Sequence, residues 1–298
     1  MDFKSLIRLF LLSALWGGTF LLMRIATPVL GPSFTVEARV GTATIFLLVV
    51  SIYLKKEIKC FSHWKHFTVL GFFNSALPSF MFSYASLTLS ASELAILNAT
   101  SPVFGFAIGV FMGNEKINIK RVLGLLIGLA GVVILFSDKG FTENLNSALA
   151  IFCGLLAAFS YGIATNYAKK TITVEPFLNA YGSMAFSTII VFPSLFFIPI
   201  RSEPTPEVGL AVLALGVLCS GVAYLLYFRL VKDVGATSAL TVTFLIPLFG
   251  ALWGYIFLDE SITTNIVLGM CVVLIGTGLV AEVNLLHFIK STLRFSKF

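Results

Sequence analysis

The chain has 298 residues, of which 58% are hydrophobic and only 11% are charged. Its mean hydropathy is +0.98. A water-soluble domain of this size needs more polar surface than that, so the composition excludes an ordinary soluble protein. The net charge of +6 is therefore interpreted through membrane topology and not as a sign of nucleic-acid binding.

Apolar stretches recur along the whole chain, and about 20 apolar residues are needed for a helix to cross the hydrocarbon core. These stretches are apolar on all sides rather than alternating, which favours helices over a β-barrel. The first stretch has no convincing small-residue cleavage site, so we interpret it as a membrane helix and not as a signal peptide. The predicted fold class is all-α integral membrane, with ten transmembrane helices. They span residues 6–28, 34–54, 66–86, 92–112, 121–137, 147–168, 177–199, 208–229, 236–257 and 264–283.

The distribution of lysine and arginine predicts the orientation of these helices. With the N-terminus inside, 16 of the 20 lysines and arginines fall in cytoplasmic segments. Lys139 and Arg201 then fall outside, and Arg24 and Arg39 lie within the membrane. Cytoplasmic loops carry the excess of Lys and Arg in membrane proteins. We therefore predict a multi-pass protein of the cell (inner or plasma) membrane with its N- and C-termini in the cytoplasm.

An internal repeat relates the two halves of the chain. Residues 91–131 and 236–276 share 12 identities without a gap, at a constant offset of 145. Each half holds five predicted helices, an odd number, so the second copy enters the membrane from the opposite side as an inverted repeat. The predicted domains are residues 1–140 for the first repeat, 145–285 for the second, inverted repeat, and 286–298 for a basic cytoplasmic tail.

Two motifs resemble a known family. Residues 14–20 read ALWGGTF, and the repeated segment carries a Pro-x-Phe-Gly…Glu…Leu-Gly…Gly pattern. Together with ten helices in two inverted halves, this resembles the EamA type of the drug/metabolite transporter superfamily, over nearly the whole chain. Arg39 lies where the second helix of that family usually carries an arginine. The resemblance implies transport but leaves the substrate open, because the family moves amino acids, nucleotide precursors, drugs and other small metabolites.

Charged residues inside the predicted spans are the first site candidates. Charge in hydrocarbon is costly, so such residues are expected to face a cavity or to find a partner. Arg24 and Glu37 flank a short loop and form a candidate pair, although Arg24 alone can also extend to the membrane surface. Arg39 and Glu93 have no charged counterpart at offset 145. We therefore predict a substrate-binding role for Arg39 and a gating role for Glu93.

Two prolines and two further glutamates recur in the repeat and are predicted as hinge and gate positions. Pro102 and Pro247 lie mid-span, where proline removes a backbone donor and kinks a helix. A fixed kink needed only for packing is the alternative. Glu115 and Glu260 follow the same two helices, where a charge can simply order the turn. Alternatively, one glutamate closes the inside and the other the outside, each paired with a basic or amide group.

The remaining site candidates are aromatic and small polar side chains. Binding pockets in such proteins combine aromatic walls with a few polar groups, although each residue taken singly is also compatible with packing. The predicted substrate-binding residues are Trp16, Thr19, Phe20, Arg39, Ser79, Asn98, Ser101, Tyr224 and Tyr227.

The preferred hypothesis is a secondary transporter that exports a small metabolite, such as an amino acid, by alternating access of the two inverted repeats. Uptake of a small polar or cationic nutrient is one alternative. A non-transporting membrane receptor or assembly protein is another, against which the short loops argue. The sequence shows no catalytic constellation, metal-ligand spacing or phosphate-binding loop, so we predict no enzyme activity, metal or cofactor. The expected partners are a small-molecule substrate and the lipid bilayer, without nucleic acid; the coupling ion, proton or sodium, stays open.

Overall fold

The computed structural model describes residues 3–58, 60–137, 145–171, 174–235, 239 and 241–281, without the side chains of residues 60 and 61. This part of the chain contains helices and no strand, which confirms the all-α prediction for it. Three predicted segments lie wholly or partly outside the described residues. They are the junction of the two repeats, where 138–144 are not described, the start of the ninth span, and the basic tail at 286–298.

The first helix, α1 (Phe3–Tyr53), is divided at Gly31, where φ is 76° and ψ is 164°. Glycine adopts positive φ without a steric penalty, so the chain can turn sharply there. On either side of this turn, Thr27 bonds Ser83 and Arg39 contacts Ser79, and these two serines are only one helical turn apart. The two limbs of α1, residues 3–30 and 32–53, therefore lie side by side.

Helices overlap all ten predicted spans. After α1 the described chain forms α2 (Trp64–Leu70), α3 (Leu77–Ala85), α4 (Ala91–Asn98), α5 (Ser101–Phe111), α6 (Ile119–Leu135), α7 (Leu145–Lys170), α8 (Pro176–Val191), α9 (Pro206–Leu213), α10 (Ala223–Val234), α11 (Val242–Leu258) and α12 (Thr264–Val280). Turns of π-helix connect α2 to α3 (Gly71–Ala76) and α9 to α10 (Ala214–Val222), and 3-10 turns lie at Cys60–His63 and Phe192–Phe196.

Several of these helical runs are long and apolar enough to cross a membrane. Within the described residues there are five: Phe3–Tyr53, Ala91–Phe111, Leu145–Lys170, Pro176–Phe196 and Pro206–Val234. Helices α11 and α12 are shorter but also apolar. The bundle has two ends, which we call the near end, where Phe3 and Glu115 lie, and the far end, where Gly31 and Glu260 lie.

Glycine contacts bring α6 and α12 together in opposite directions. A Cβ on Gly131 would lie 3.1 Å from the Gly269 carbonyl oxygen, and a Cβ on Gly124 would lie 2.7 Å from the Gly276 carbonyl oxygen. Moving forward along α6 therefore means moving backward along α12, so the two helices are antiparallel. Small residues allow this close approach between helices in lipid.

A second glycine contact occurs twice, at the repeat offset. A Cβ on Gly17, in the first limb of α1, would lie 2.9 Å from the Gly250 nitrogen of α11. A Cβ on Gly162, in α7, would lie 2.9 Å from the Gly105 nitrogen of α5. Both members of each contact differ by 145 residues from the members of the other. The packing of α1 on α11 is thus repeated by α7 on α5.

The two prolines of the repeat occupy different helical positions. Pro247 lies inside α11, as predicted. Pro102 lies in the first turn of α5, at the break between α4 and α5 in the middle of the apolar run Ala91–Phe111. A proline in the first helical turn removes no intrahelical hydrogen bond. Both prolines are therefore mid-span as predicted, although Pro102 lies at a helix break, and their hinge role stays a prediction.

Candidate functional site

Arg39, in the second limb of α1, is half-buried between helices of both halves. Its Nε donates to the Ser220 hydroxyl at 3.0 Å, and its Nη1 donates to the Ser79 hydroxyl at 3.4 Å. Ser220 is fully buried and donates its own proton to the Leu215 carbonyl at 3.0 Å. Among the described residues, no carboxylate forms an ion pair with Arg39. Both of its described partners are neutral, so its charge is solvated but not compensated.

Three of the predicted aromatic residues form a cluster beside Arg39. The Trp16 ring centroid lies 5.5 Å from that of Tyr227 and 6.4 Å from that of Tyr224, the latter edge-on. The Tyr224 hydroxyl accepts a hydrogen bond from Asn74 Nδ2 at 3.1 Å. Tyr224 follows Ser220 by four residues on one continuous helical run. The aromatic cluster (Trp16, Tyr224, Tyr227) therefore begins one helical turn from the serine that holds Arg39.

Asn74 and Ser220 complete this site; neither is in the predicted substrate-binding set, although the sequence already places Ser220 on one helix face with Tyr224 and Tyr227 and Asn74 in an unusually polar span. They lie in the π-helical turns Gly71–Ala76 and Ala214–Val222, which overlap at the repeat offset of 145. Turns of π-helix shift side chains around the helix axis and are frequent at functional sites. A usable signal was the run of polar residues at positions 74–79 inside an otherwise apolar span.

Other predicted site residues form no described hydrogen bond with Arg39. Phe20 is buried and packs edge-on against Phe82, with ring centroids 5.3 Å apart, and Thr19 beside it is also buried. The Ser101 hydroxyl donates to the Asn98 carbonyl at 2.6 Å, so it satisfies its own backbone at the break between α4 and α5. None of the described hydrogen bonds joins Asn98 or Ser101 to Arg39.

At the near end, three of the described ion pairs connect the two halves of the chain: Lys169–Glu115, Arg8–Asp233 and Lys56–Glu175. Glu115, in the loop after α5, accepts from Lys169 Nζ at 2.8 Å and from Arg121 Nη1 at 2.7 Å. Lys169 closes α7 and so belongs to the second half. The hydrogen bond from Lys169, with a further one from Arg121, lowers the pKa of Glu115 against the opposing effect of partial burial. We call Lys169–Glu115 the near-end ion pair.

At the far end, the ion pair Arg24–Glu260 connects the halves. Arg24 Nε lies 3.4 Å from Glu260 Oε1, and Arg24 Nη1 donates to the Ser86 carbonyl at 2.9 Å. Both carboxylate oxygens of Glu260 lie 3.0 Å from the backbone nitrogen of Ala91, the first residue of α4. Arg24 and Lys169 are 145 residues apart, as are Glu115 and Glu260. This far-end ion pair, Arg24–Glu260, is therefore the repeat counterpart of the near-end ion pair.

Two expectations for the charged residues change. The Arg24–Glu37 pair is wrong, because Arg24 reaches across the halves to Glu260, and Glu37 Oε2 is buried without a hydrogen-bond partner among the described residues. Glu93 is buried in a capping box at the start of α4, where the Ser90 nitrogen donates to Glu93 Oε2 at 2.8 Å. That local role accounts for its presence without a substrate, and its gating role stays a prediction.

Comparisons with known proteins agree with this architecture. The EamA-like transporter family matches twice, at residues 4–137 and 148–281. A protein of Bacillus subtilis named uncharacterized transporter YoaV is 25% identical over 92% of this chain and 95% of its own. An uncharacterized transporter of Buchnera aphidicola is 27% identical over 97% of both chains. The WAT1-related protein At3g02690 of Arabidopsis thaliana is 23% identical over 89% of this chain and 66% of its own.

A solved crystal structure shares the fold, with a TM-score of 0.66 and 15% identity over 94% of this chain and 96% of the other. The two family matches cover nearly the whole chain, and the helices that they include are apolar enough for a membrane. The chain therefore belongs to the EamA-like transporter family, and it is a multi-pass membrane protein of the transporter class within the drug/metabolite transporter superfamily.

Proposed function

We propose that this protein is a secondary transporter that moves a small metabolite across the cell membrane by alternating access. The observation that carries the proposal is that two of the ion pairs between the halves, Arg24–Glu260 and Lys169–Glu115, join equivalent residues at opposite ends of the bundle. If the halves rock about a central site, one ion pair must open while the other holds. Glu115 and Glu260 are thereby assigned to the two gates.

The proposed moving units are the two five-helix repeats, residues 1–140 and 145–285. Support for their inverted relation comes from α6 and α12, which are counterparts in the repeat yet run antiparallel. The repeated contact of Gly17 with α11 and of Gly162 with α5 adds to it. We propose ten membrane crossings with the near end in the cytoplasm, because most of the lysines and arginines belong to the segments at that end.

We place the substrate site at Arg39, between the two ion pairs. Arg39 and Trp16 come from the first half, and Ser220, Tyr224 and Tyr227 from the second. A site shared by both halves can change shape when they move. Thr19, Phe20, Asn98 and Ser101 are proposed as neighbouring walls, and Pro102 and Pro247 as hinges. Export of an amino acid or a similar metabolite is the proposed direction, with uptake of a small polar or cationic nutrient as the rival.

The test uses the purified full chain in liposomes. Counterflow is measured with labelled amino acids, nucleobases and quaternary amines. We expect saturable counterflow of at least one compound, and its loss in the far-end variant Glu260→Arg with partial return in Arg24→Glu/Glu260→Arg. Glu203→Arg is the matched control, because Glu203 is exposed in the far-end loop and forms no described ion pair. Folded protein that moves no compound of the panel would contradict the proposal.

A further inference from the structure

We infer that the ligand of the central site carries a carboxylate, which binds the open edge of Arg39 while the rest of the molecule packs on the aromatic cluster. The inference rests on the proposed function in placing the substrate at Arg39. It adds a substrate class: organic acids and zwitterions are bound, and simple cations are rejected.

The two arginines of α1 differ in whether a carboxylate balances their charge. Arg24 has a carboxylate partner, Glu260, at 3.4 Å. Arg39 lies deeper in the chain's predicted span, yet its described partners are the hydroxyls of Ser79 and Ser220. A cation in a region of low dielectric is stabilised most by an opposite charge. The described residues supply none here, so an anionic ligand completes the site.

The serine partners of Arg39 hold two of its three guanidinium nitrogens in place. Its Nε and Nη1 are held by serines from the two halves, whereas Nη2 donates to no described residue and is not fully buried. A guanidinium has planar donors that match a carboxylate. With two nitrogens fixed, the orientation of the third is set before a ligand arrives. Such prior orientation reduces the entropy that binding costs.

The two serines differ in what they offer to a ligand. The Ser220 hydroxyl donates its proton to the Leu215 carbonyl, so towards Arg39 it acts only as an acceptor. Ser79 has no further described hydrogen bond, so its proton is available. A carboxylate bound at Arg39 can therefore accept one more hydrogen bond from Ser79. Ser220 serves to hold Arg39 in place.

The aromatic cluster offers an apolar surface that begins one helical turn from Ser220, the residue that holds Arg39. Tyr224 follows Ser220 by one helical turn, which rises about 5.4 Å along the axis. Trp16 and Tyr227 complete an apolar wall beside it. Aromatic rings bind apolar groups and also attract an ammonium group over their faces. A carboxylate with a branched or aromatic body, with or without an amino group, matches this arrangement.

The same arrangement disfavours the cationic nutrient. A cation stacked on the aromatic cluster would lie about one helical turn from an uncompensated guanidinium. Arg39 also links the second limb of α1 to both halves. If Arg39 had only a structural role, its bonds to the two serines would be explained, but the protein would show no preference for acids.

The experiment compares three matched compounds on the full chain in lipid nanodiscs. They are L-phenylalanine, its decarboxylated amine 2-phenylethylamine, and its deaminated acid 3-phenylpropionate; leucine, isopentylamine and 4-methylpentanoate form a second set. Binding is measured by the quenching of tryptophan fluorescence and by the shift in Tm. We expect at least one acid or zwitterion to bind about tenfold more tightly than its amine. Quenching should weaken in Trp16→Phe.

Variants identify the group that creates the preference. Arg39→Gln is expected to abolish it, Arg39→Lys to keep a weaker one, and Ser79→Ala to reduce it severalfold. Arg229→Gln is the control, because Arg229 is exposed at the near end and pairs with Asp233. If Arg39→Gln does not fold, Arg39→Lys and Ser79→Ala decide the question. Amines that bind as tightly as acids, or a preference unchanged in the variants, would overturn the inference.

The outcome separates this inference from the transport proposal. Counterflow of a cation or a neutral compound, with no acid bound, overturns the inference and leaves transport standing. Arg39-dependent binding of acids without any counterflow supports the assigned ligand class and contradicts transport. Binding of no acid in either set also overturns the inference.

Discussion

The near-end and far-end ion pairs are made of equivalent residues, yet they are built differently. At the near end, Glu115 lies between two cations, Lys169 and Arg121. At the far end, Glu260 has one described cation, Arg24, and directs both oxygens at the first amide of α4. The repeat has kept the charge pair that joins the halves, whereas each end has acquired its own additional contacts.

A buried asparagine adds further hydrogen bonds at the near end that the far end lacks at the equivalent position. Asn166, near the end of α7, donates to the Gly105 carbonyl at 2.7 Å and accepts from Asn114 at 3.2 Å. Its counterpart at offset 145 is Leu21, and the counterpart of Arg121 is Ile266. The near end therefore has the larger polar network. We expect it to open less readily, which would favour conformations that expose the site at the far end.

The largest expected effect on stability comes from reversing the charge of one glutamate at each end. Glu115→Lys would place a third cation beside Lys169 and Arg121, whereas Glu260→Lys meets only Arg24 and the start of α4. We expect a loss of about 2–4 kcal/mol for Glu115→Lys, with partial exposure limiting the cost, and a smaller loss for Glu260→Lys. Thermal unfolding of both variants in one detergent measures the difference. Equal losses would remove the contrast between the ends.

Removing one cation at a time tests which end each ion pair closes. In a cysteine-free background, Ser101→Cys reports access to the interior from a membrane-impermeant thiol reagent. Lys169→Ala is expected to raise its labelling from the near side, and Arg24→Ala from the far side, by about fivefold, equivalent to about 1 kcal/mol. Lys65→Ala should leave both rates unchanged, because Lys65 is exposed and its described contact is the ring of the adjacent Trp64. Labelling that rises from both sides in each variant would indicate loosened packing instead of a gate.

Making the near end resemble the far end should weaken it. Asn166→Leu introduces the residue type found at position 21, and it leaves the Gly105 carbonyl without its hydrogen bond from α7. We expect a loss of about 1–2 kcal/mol, since the buried side-chain hydrogen bonds of Asn166 with Gly105 and Asn114 are lost. The readout is the Tm, with Thr165→Val as the control, because Thr165 is exposed and bonds only its own helix. An unchanged Tm would show that the network adds nothing.

The smallest expected effect is a pH dependence at the near end. The pKa of Glu115 is lowered in the folded protein, first by Lys169 and then by Arg121. Its contribution to stability is therefore present above the pKa of an unfolded glutamate, and it is lost as the pH falls through the folded value. The Tm of the wild type should fall on acidification more than that of Glu115→Gln. Parallel curves would contradict this.

How far the sequence predicts the site is shown by Arg39 and Ser220. Arg39 is conspicuous as a charge in an apolar span, but only the structure shows that its described partners are two hydroxyls. Helical periodicity already groups Ser220 with Tyr224 and Tyr227. The contacts of Ser220 with Arg39 and of Asn74 with Tyr224 depend on two π-helical turns and on which helices meet, and the sequence does not reveal either.

Composition and the 145-residue offset by themselves determined the class of solvent, the all-α chain and the repeat. These follow from local apolarity and from identities at a constant spacing, both of which are properties of the chain. The family was indicated by the resemblance of the ALWGGTF segment and of the repeated motif. Only the tertiary structure decided that Arg24 pairs with Glu260 instead of Glu37, and that Glu93 caps its own helix. The physical reason is that an ion pair depends on which helix faces pack together across the two halves. Closeness along the sequence does not predict that packing.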